Sequence, residues 1–415
     1  MADADPRTTE RRNAAAYVVS ELGWGFAWSL TFEGPMIAAF AAGIGQGPGD
    51  VGTIWLLQSL GIALPMLLTA WLLKPLGRMR GLVGLGHAAG AVLVLGLAAV
   101  AAWAEPATLR TAYLLTVPVF FLAIGVQIPA WYALVGQLFP PGTQHRLLGV
   151  VFAVNRVGAL VGGYLAKRIL ESAATPSEAW CLLFAISGAS GLIACWPYTW
   201  IRERGIRPRP RPPLRSHLAA MGRTWKRFAA YRRFVLADAL GIAQWVVIAL
   251  FAEAAFQREG HDKWLAGPWT QASAVGMLVA AVLVSTAGRR IRPRTWVVVG
   301  MATLAAGGGV AAIGGSAWTY AFVAATVGFT LGTRMTCLGL SLMRIVPARQ
   351  RTQALGLQGA IATALQGAFA WGGGRLAISL GYGPVFAAAA ALVVLAVLLL
   401  VTWVPRPRDL GDADL

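Results

Sequence analysis

The chain has 415 residues, of which 57% are hydrophobic and 13% charged, against ~25% charged in an ordinary soluble domain. That balance excludes a soluble globular protein and points to an integral membrane protein. The net charge of +18 would suggest nucleic acid in a soluble chain; here it belongs to loops that orient the protein, so no nucleic-acid partner is expected.

The opening MADADPRTTERRN is polar and has no apolar core, so no cleaved signal peptide is expected and residues 1–16 read as a tail. Apolar runs then predict six spans, roughly 17–43, 52–73, 81–103, 111–137, 147–169 and 179–200. Within the first, Glu33 is followed by Gly34 and Pro35. Proline cannot donate to the Thr31 carbonyl, so the helix should kink there, with Ser29 one turn below Glu33. A carboxyl beside an interrupted helix at mid-membrane depth is a candidate proton carrier. Gln127, Trp131, Asn155 and Arg156 follow on spans four and five, while His87 on span three reads as peripheral packing.

Residues 201–233 form a basic connection whose RPRPRPP stretch should be extended. From Leu214 to Phe228 the pattern fits a basic amphipathic helix on the membrane surface. Six more spans follow at roughly 234–256, 265–287, 295–314, 318–343, 353–378 and 382–404, and residues 405–415 form a second tail. Asp238 lies near one end of the seventh span, with Gln244 and Trp245 at its centre and Glu253 and Arg375 near outer ends, where long side chains snorkel to water.

From Trp318 to Met343, Arg334 is the only charged residue. At the centre of a membrane helix it costs at least about 2.5–3.5 kcal/mol. Glu33, Gln127, Arg156 and Arg334 all fall within ~5 Å of their span centres at 1.5 Å per residue. Two positive charges face one negative, so Arg334 is expected either to meet an anionic group of a substrate in a central cavity, or to bond carbonyls or an acid across an interface. Glu33 and Arg156 are expected either to move cargo and protons or to form a static ion pair. Gln366, Gln58 and Gln271 are weaker candidates to line the cavity or bridge helices. Cys181, Cys195 and Cys337 all lie in apolar runs, and with four histidines they suggest no disulfide, metal site, cofactor or catalytic constellation.

Charge supports this layout. With the N-terminus inside, 27 of the 35 Lys and Arg fall in tails and connections on one side, as the positive-inside rule requires, so both termini are expected in the cytoplasm. The halves also resemble each other. Gly125, Pro140 and Gly149 match Gly332, Pro347 and Gly356, each 207 residues on, while Glu21 and Trp28 in ELGWGFAW match Asp238 and Trp245 in DALGIAQW at an offset of 217. The first offset pairs Arg334 with Gln127. A duplicated six-helix unit is implied.

Twelve spans as six plus six, a long basic connection and internal termini together resemble the major facilitator superfamily. Its loop between helices two and three carries G-x-x-x-D-R-x-G-R-R. In AWLLKPLGRMR, Gly77 and Arg78 match and Arg80 keeps the basic character, whereas Lys74 and Pro75 replace the acidic and neighbouring basic positions. By the resemblance, Gly77, Arg78 and Arg80 have a conformational role, and Gly149, Gly158 and Gly162 on helix five lean toward exchange.

The resemblance implies an all-α integral membrane fold of 12 transmembrane helices in two pseudo-symmetric six-helix bundles, 17–200 and 234–404. It implies a secondary active transporter, not an enzyme, moving a small organic solute, anionic or amphiphilic, by alternating access. Proton coupling would run through Glu33 and Asp238, and substrate contacts through Arg334, Gln127, Arg156, Asn155, Trp131, Trp245, Gln244 and Gln366. The other readings are a multidrug efflux antiporter, in which aromatic residues replace the arginine clamp, and a lipid scramblase or non-transporting membrane scaffold. A monomer in contact with lipids of the inner or plasma membrane is expected.

Overall fold

The computed structural model describes residues 6–44, 48–73, 76–203, 205, 208, 210–287, 290–347 and 350–405. All regular structure among them is helical. In chain order the helices are α1 (Pro6–Ser29), α2 (Gly34–Gly43), α3 (Pro48–Leu72), α4 (Arg80–Trp103), α5 (Pro106–Leu138), α6 (Pro141–Ser172), α7 (Pro176–Cys195), α8 (Leu214–Arg227), α9 (Ala229–Gly241), α10 (Gln244–Arg258), α11 (Ala266–Ala287), α12 (Pro293–Ile313), α13 (Ala317–Met343), α14 (Arg351–Leu380) and α15 (Tyr382–Thr402).

Local chemistry sets many of these ends. Proline occupies the first turn of α2, α5, α6, α7 and α12, where its missing N–H is harmless. At α7, Glu178 N donates to Thr175 Oγ1 at 3.2 Å and Ala174 N donates to Glu178 Oε2 at 3.0 Å, a reciprocal cap. Gly314 and Gly381 adopt φ of 83° and 78° where α12 and α14 stop, a conformation glycine enters without a Cβ penalty.

Among the described residues, ten stretches are long and apolar enough to cross a membrane. The remaining two expected spans have evident reasons for falling short. The first is split into α1 and α2. The eleventh, α14, is a continuous helix of 30 residues that keeps Gln358 and Thr363 buried against its neighbours. The seventh span is interrupted as well, at Ile242–Ala243 between α9 and α10, although no proline stands there.

α1 packs on α6 and α7, α4 on α5 and α7, and α3 on α5; in the second half α12 packs on α13 and α15, α11 on α13, and α9 on α15. The halves join chiefly along α3 with α14, α6 with α11, and α2 with α10, with smaller contacts of α2 on α11 and α3 on α10. α8 lies across the end of the molecule that carries both termini, where Trp71 Nε1 donates to the Pro212 carbonyl at 2.7 Å and Thr224 Oγ1 donates to Gln353 Oε1 at 3.4 Å. The amphipathic helix expected in the connection is therefore present, docked on α9 and α14.

Candidate substrate cavity

Between the halves lies a cavity of about 350 Å³. Its wall is aromatic: Trp24, Trp28 and Phe32 from the first span, Trp55 from α3, Trp131 and Tyr132 from α5, Phe152 from α6, and Trp245 and Phe251 from α10. Leu331 and Met335 represent α13. The charged groups among its lining residues are Glu21, Glu33 and Arg156.

The end away from the termini is sealed. Gly34 through Ala41 of α2 are all buried, as are Val246 through Phe256 of α10. Trp55 and Trp245 meet edge-on across the seam, ring centroids 5.2 Å apart. Nearby, α6 and α11 cross on glycines: a Cβ on Gly267 would lie 2.4 Å from the Gly163 carbonyl oxygen. Gln271 Nε2 donates to the Leu160 carbonyl at 3.0 Å, and Lys167 sits over the Trp264 ring. Toward the termini the wall opens, since Tyr132 and Met335 remain 41% and 51% exposed.

The break in the first span positions Glu33. α1 ends at Ser29, the Phe32 N–H turns back to the Trp28 carbonyl, and Glu33 is extended (φ −70°, ψ 147°) before α2 begins. Ser29 does not reach up to Glu33; its Oγ donates to the Phe26 carbonyl at 2.8 Å. Arg156 Nη1 donates to Glu33 Oε1 at 2.8 Å, while Arg156 Nε donates to Asn155 Oδ1 at 3.0 Å. Asn155 Nδ2 in turn donates to Glu21 Oε2 at 3.0 Å. One chain of polar contacts thus runs Glu33, Arg156, Asn155, Glu21 down the cavity wall.

Arg334 is elsewhere. Its Nη1 and Nη2 donate to Asp238 Oδ1 and Oδ2 at 2.6 and 2.8 Å, and Gln358 Nε2 donates to Asp238 Oδ2 at 2.9 Å. Both partners are buried and neither lines the cavity. Of the two expectations for Arg334, a substrate in a cavity or an acid on another helix, the structure shows the acid: a two-pronged ion pair with Asp238 offsets the burial of the guanidinium. With the first expectation goes the basis for an anionic substrate, and Asp238 is tied up rather than exposed to a proton path.

Of the remaining candidates, Gln127, Trp131, Asn155, Arg156, Trp245 and Glu33 line the cavity together. Gln244 is fully buried without a hydrogen-bond partner among the described residues, and neither it nor Gln366 lines the cavity. Gln58 does line it, whereas Gln271 joins α11 to α6. His87, expected at the periphery, is buried on the wall and hydrogen-bonds Gln127. Glu253, expected to snorkel, is 1% exposed and its oxygens have no hydrogen-bond partner among the described residues. Gly158 and Gly162 let α6 approach α1; a Cβ there would come within 2.2 Å of the Leu22 oxygen and 2.0 Å of Ser29 Oγ. That close approach is a packing role.

In the loop before α4, Lys74 and Pro75 lie outside the described residues. Beside them Met79 N and Arg80 N donate to the Glu203 carboxylate at 2.6 and 3.0 Å, and Arg80 Nη1 donates to the Ile201 carbonyl at 2.8 Å. An acid from beyond α7 thus caps α4, which favours negative charge at its first N–H groups. Sequence reasoning missed Glu203, and it missed Glu21 as a site residue. The one trace of Glu21 was its repeat match with Asp238, and the stripe Glu21, Trp24, Trp28 at three- and four-residue steps.

No family model matches the chain, and no curated protein matches it in sequence. Solved structures do. A D-xylose–proton symporter superposes with a TM-score of 0.73 at 15% identity, covering 97% of this chain and 100% of that one. The nucleoside transporter NupG gives 0.72 at 10%, covering 95% and 99%. The Escherichia coli xylose transporter XylE, in a partially occluded inward-open conformation, gives 0.71 at 14%, covering 97% and 100%. The chain has the fold of major facilitator transporters.

Proposed function

We propose that this protein is a secondary active transporter that moves a small amphiphilic organic solute by alternating access. The observation that carries the reading is an aromatic-walled hollow between two helix sets, closed at one end and open at the other. Aromatic faces desolvate a flat or apolar body, and the polar chain from Glu33 to Glu21 orients its polar group. The fold shared with sugar and nucleoside transporters supports the same reading.

In the arrangement at hand the cavity opens toward the termini. The surplus of Lys and Arg on that side assigns it to the cytoplasm of an inner or plasma membrane. Glu33 is the proton-coupling carboxyl in this mechanism. It sits at the joint between α1 and α2, directly beside the seal, and Arg156 is its counter-charge. Proton arrival at Glu33 removes the charge that holds Arg156, frees the joint and lets α2 leave α10. Arg156 then remains available to the polar chain until the proton departs. Gly77, Arg78 and Arg80 adjust the terminus-side ends of α3 and α4 during the swing, with Glu203 as their fixed acid.

Because Arg334 is withdrawn from the cavity and nine aromatic side chains line it, efflux of varied amphiphiles is favoured over a dedicated anion carrier. Purified protein in proteoliposomes tests this. Counterflow of labelled amphiphiles is expected. Glu33→Gln should preserve counterflow, which needs no net proton movement, and abolish accumulation driven by a pH gradient. Scrambling of fluorescent lipid without solute counterflow, or no flux of either kind, would refute the transporter reading in favour of a scramblase or scaffold.

A further inference from the structure

The cavity holds two carboxylates and one guanidinium, and the guanidinium is committed. Arg156 reaches Glu33 at 2.8 Å, and its Nε and Nη2 donate to Asn155 Oδ1. Glu21 has no salt-bridge partner among the described residues. Its Oε2 accepts from the neutral Asn155 amide, and the Trp131 indole and the Arg156 guanidinium also act on the carboxyl without forming an ion pair with it. Around it stand the rings of Trp24, Trp131 and Tyr132 on the same cavity wall.

From this geometry we infer that Glu21 is the specificity-determining carboxylate of the cavity and that the cargo it selects is an organic cation, an amine or ammonium group on an aromatic or aliphatic body. The inference rests on the cavity being the substrate site and adds the sign of the charge that it reads. A cavity with one carboxylate that lacks an ion-pair partner of its own lowers its electrostatic cost by accepting a cation. Indole and phenol faces attract the same ligand through their quadrupoles. An anion would meet Glu21 with like charge and find no free guanidinium, since Arg156 and Arg334 each already serve an acid. Asn155 orients Glu21 by donating to one oxygen, leaving the other for an ammonium N–H.

Three probes sharing a phenylalkyl body separate the possibilities: phenethylamine, 2-phenylethanol and 3-phenylpropionate. Their binding to purified full-length protein, read by tryptophan fluorescence and by melting-temperature shift, should rank the amine first, about tenfold tighter than the alcohol, with the acid weakest. Glu21→Gln should abolish the preference for the amine over the alcohol, and Glu21→Asp should restore it. If Glu21→Gln does not fold, the wild-type ranking decides. Equal or tighter binding of the acid, failure of the amine to bind, or unchanged amine affinity in a folded Glu21→Gln overturns the assignment. Amine binding that needs Glu21 without any counterflow would instead sink the transport reading and leave this one standing.

Discussion

Arg334 and Asp238 each occupy a position where a lone charge is intolerable, and each makes the other acceptable. Removing one partner leaves an uncompensated ion in low dielectric and costs about 3–5 kcal/mol. Arg334→Ala and Asp238→Asn should therefore lower the melting temperature in detergent sharply. The double replacement Asp238→Leu with Arg334→Met should recover most of the loss, because no orphan charge remains. Equal destabilisation by all three would mean the pair has no such interdependence. Arg334 was legible as a residue needing a partner, and Glu33 with Arg156 as a possible ion pair. The Asp238 partnership was not, because depth counted along spans locates Cα atoms, whereas an arginine side chain reaches well beyond its own level. Glu21 was obscured for the opposite reason: it lies nearer the terminus side than the midplane, and the cavity extends toward it.

Among the elements, the α6–α11 crossing is the most sensitive part of the seal. Any side chain at 267 pushes against the Gly163 carbonyl, so Gly267→Leu should drive the halves apart at the end away from the termini. With Cys181, Cys195 and Cys337 replaced, a single cysteine at the cavity residue Ser273 should then react about tenfold faster with a membrane-impermeant thiol reagent applied from that side. Unchanged labelling would show that the crossing does not hold the seal. The interruption at Glu33 was readable from Pro35, because a missing N–H is a local fact of the chain. The interruption at Ile242–Ala243 was not, since no residue there forbids a helix, and tertiary packing of the fully buried Ile242 and Ala243 overrides local preference.

At the level of the whole molecule, the all-helical membrane class was recoverable from composition because apolar length and charge placement are summed over many residues and tolerate local error, whereas ten rather than twelve stretches among the described residues meet the length and apolarity of a span. Cavity lining was not recoverable, because it depends on which face of each helix turns inward. The orientation proposed from Lys and Arg predicts that reporter fusions at both ends are active only as cytoplasmic enzymes; periplasmic or extracellular activity of either would invert the assignment. It also predicts that the open mouth of the cavity is reached by reagents from the cytoplasm first.

The seam between α3 and α14 has a further consequence. It continues from Gly52 beside Ala370, through Ser59 beside Gly367, to Met66 beside Gly359, whereas the contacts of Leu160, Gly163 and Lys167 with α11 gather at one end of α6. A joint held along its whole length is a pivot; one held at its tip is a latch. Tethering the pivot with a disulfide between cysteines at 59 and 367 should leave turnover largely intact, while tethering the latch with a reducible cross-linker between cysteines at 160 and 271, which already meet across the crossing, should arrest it until a reductant is added.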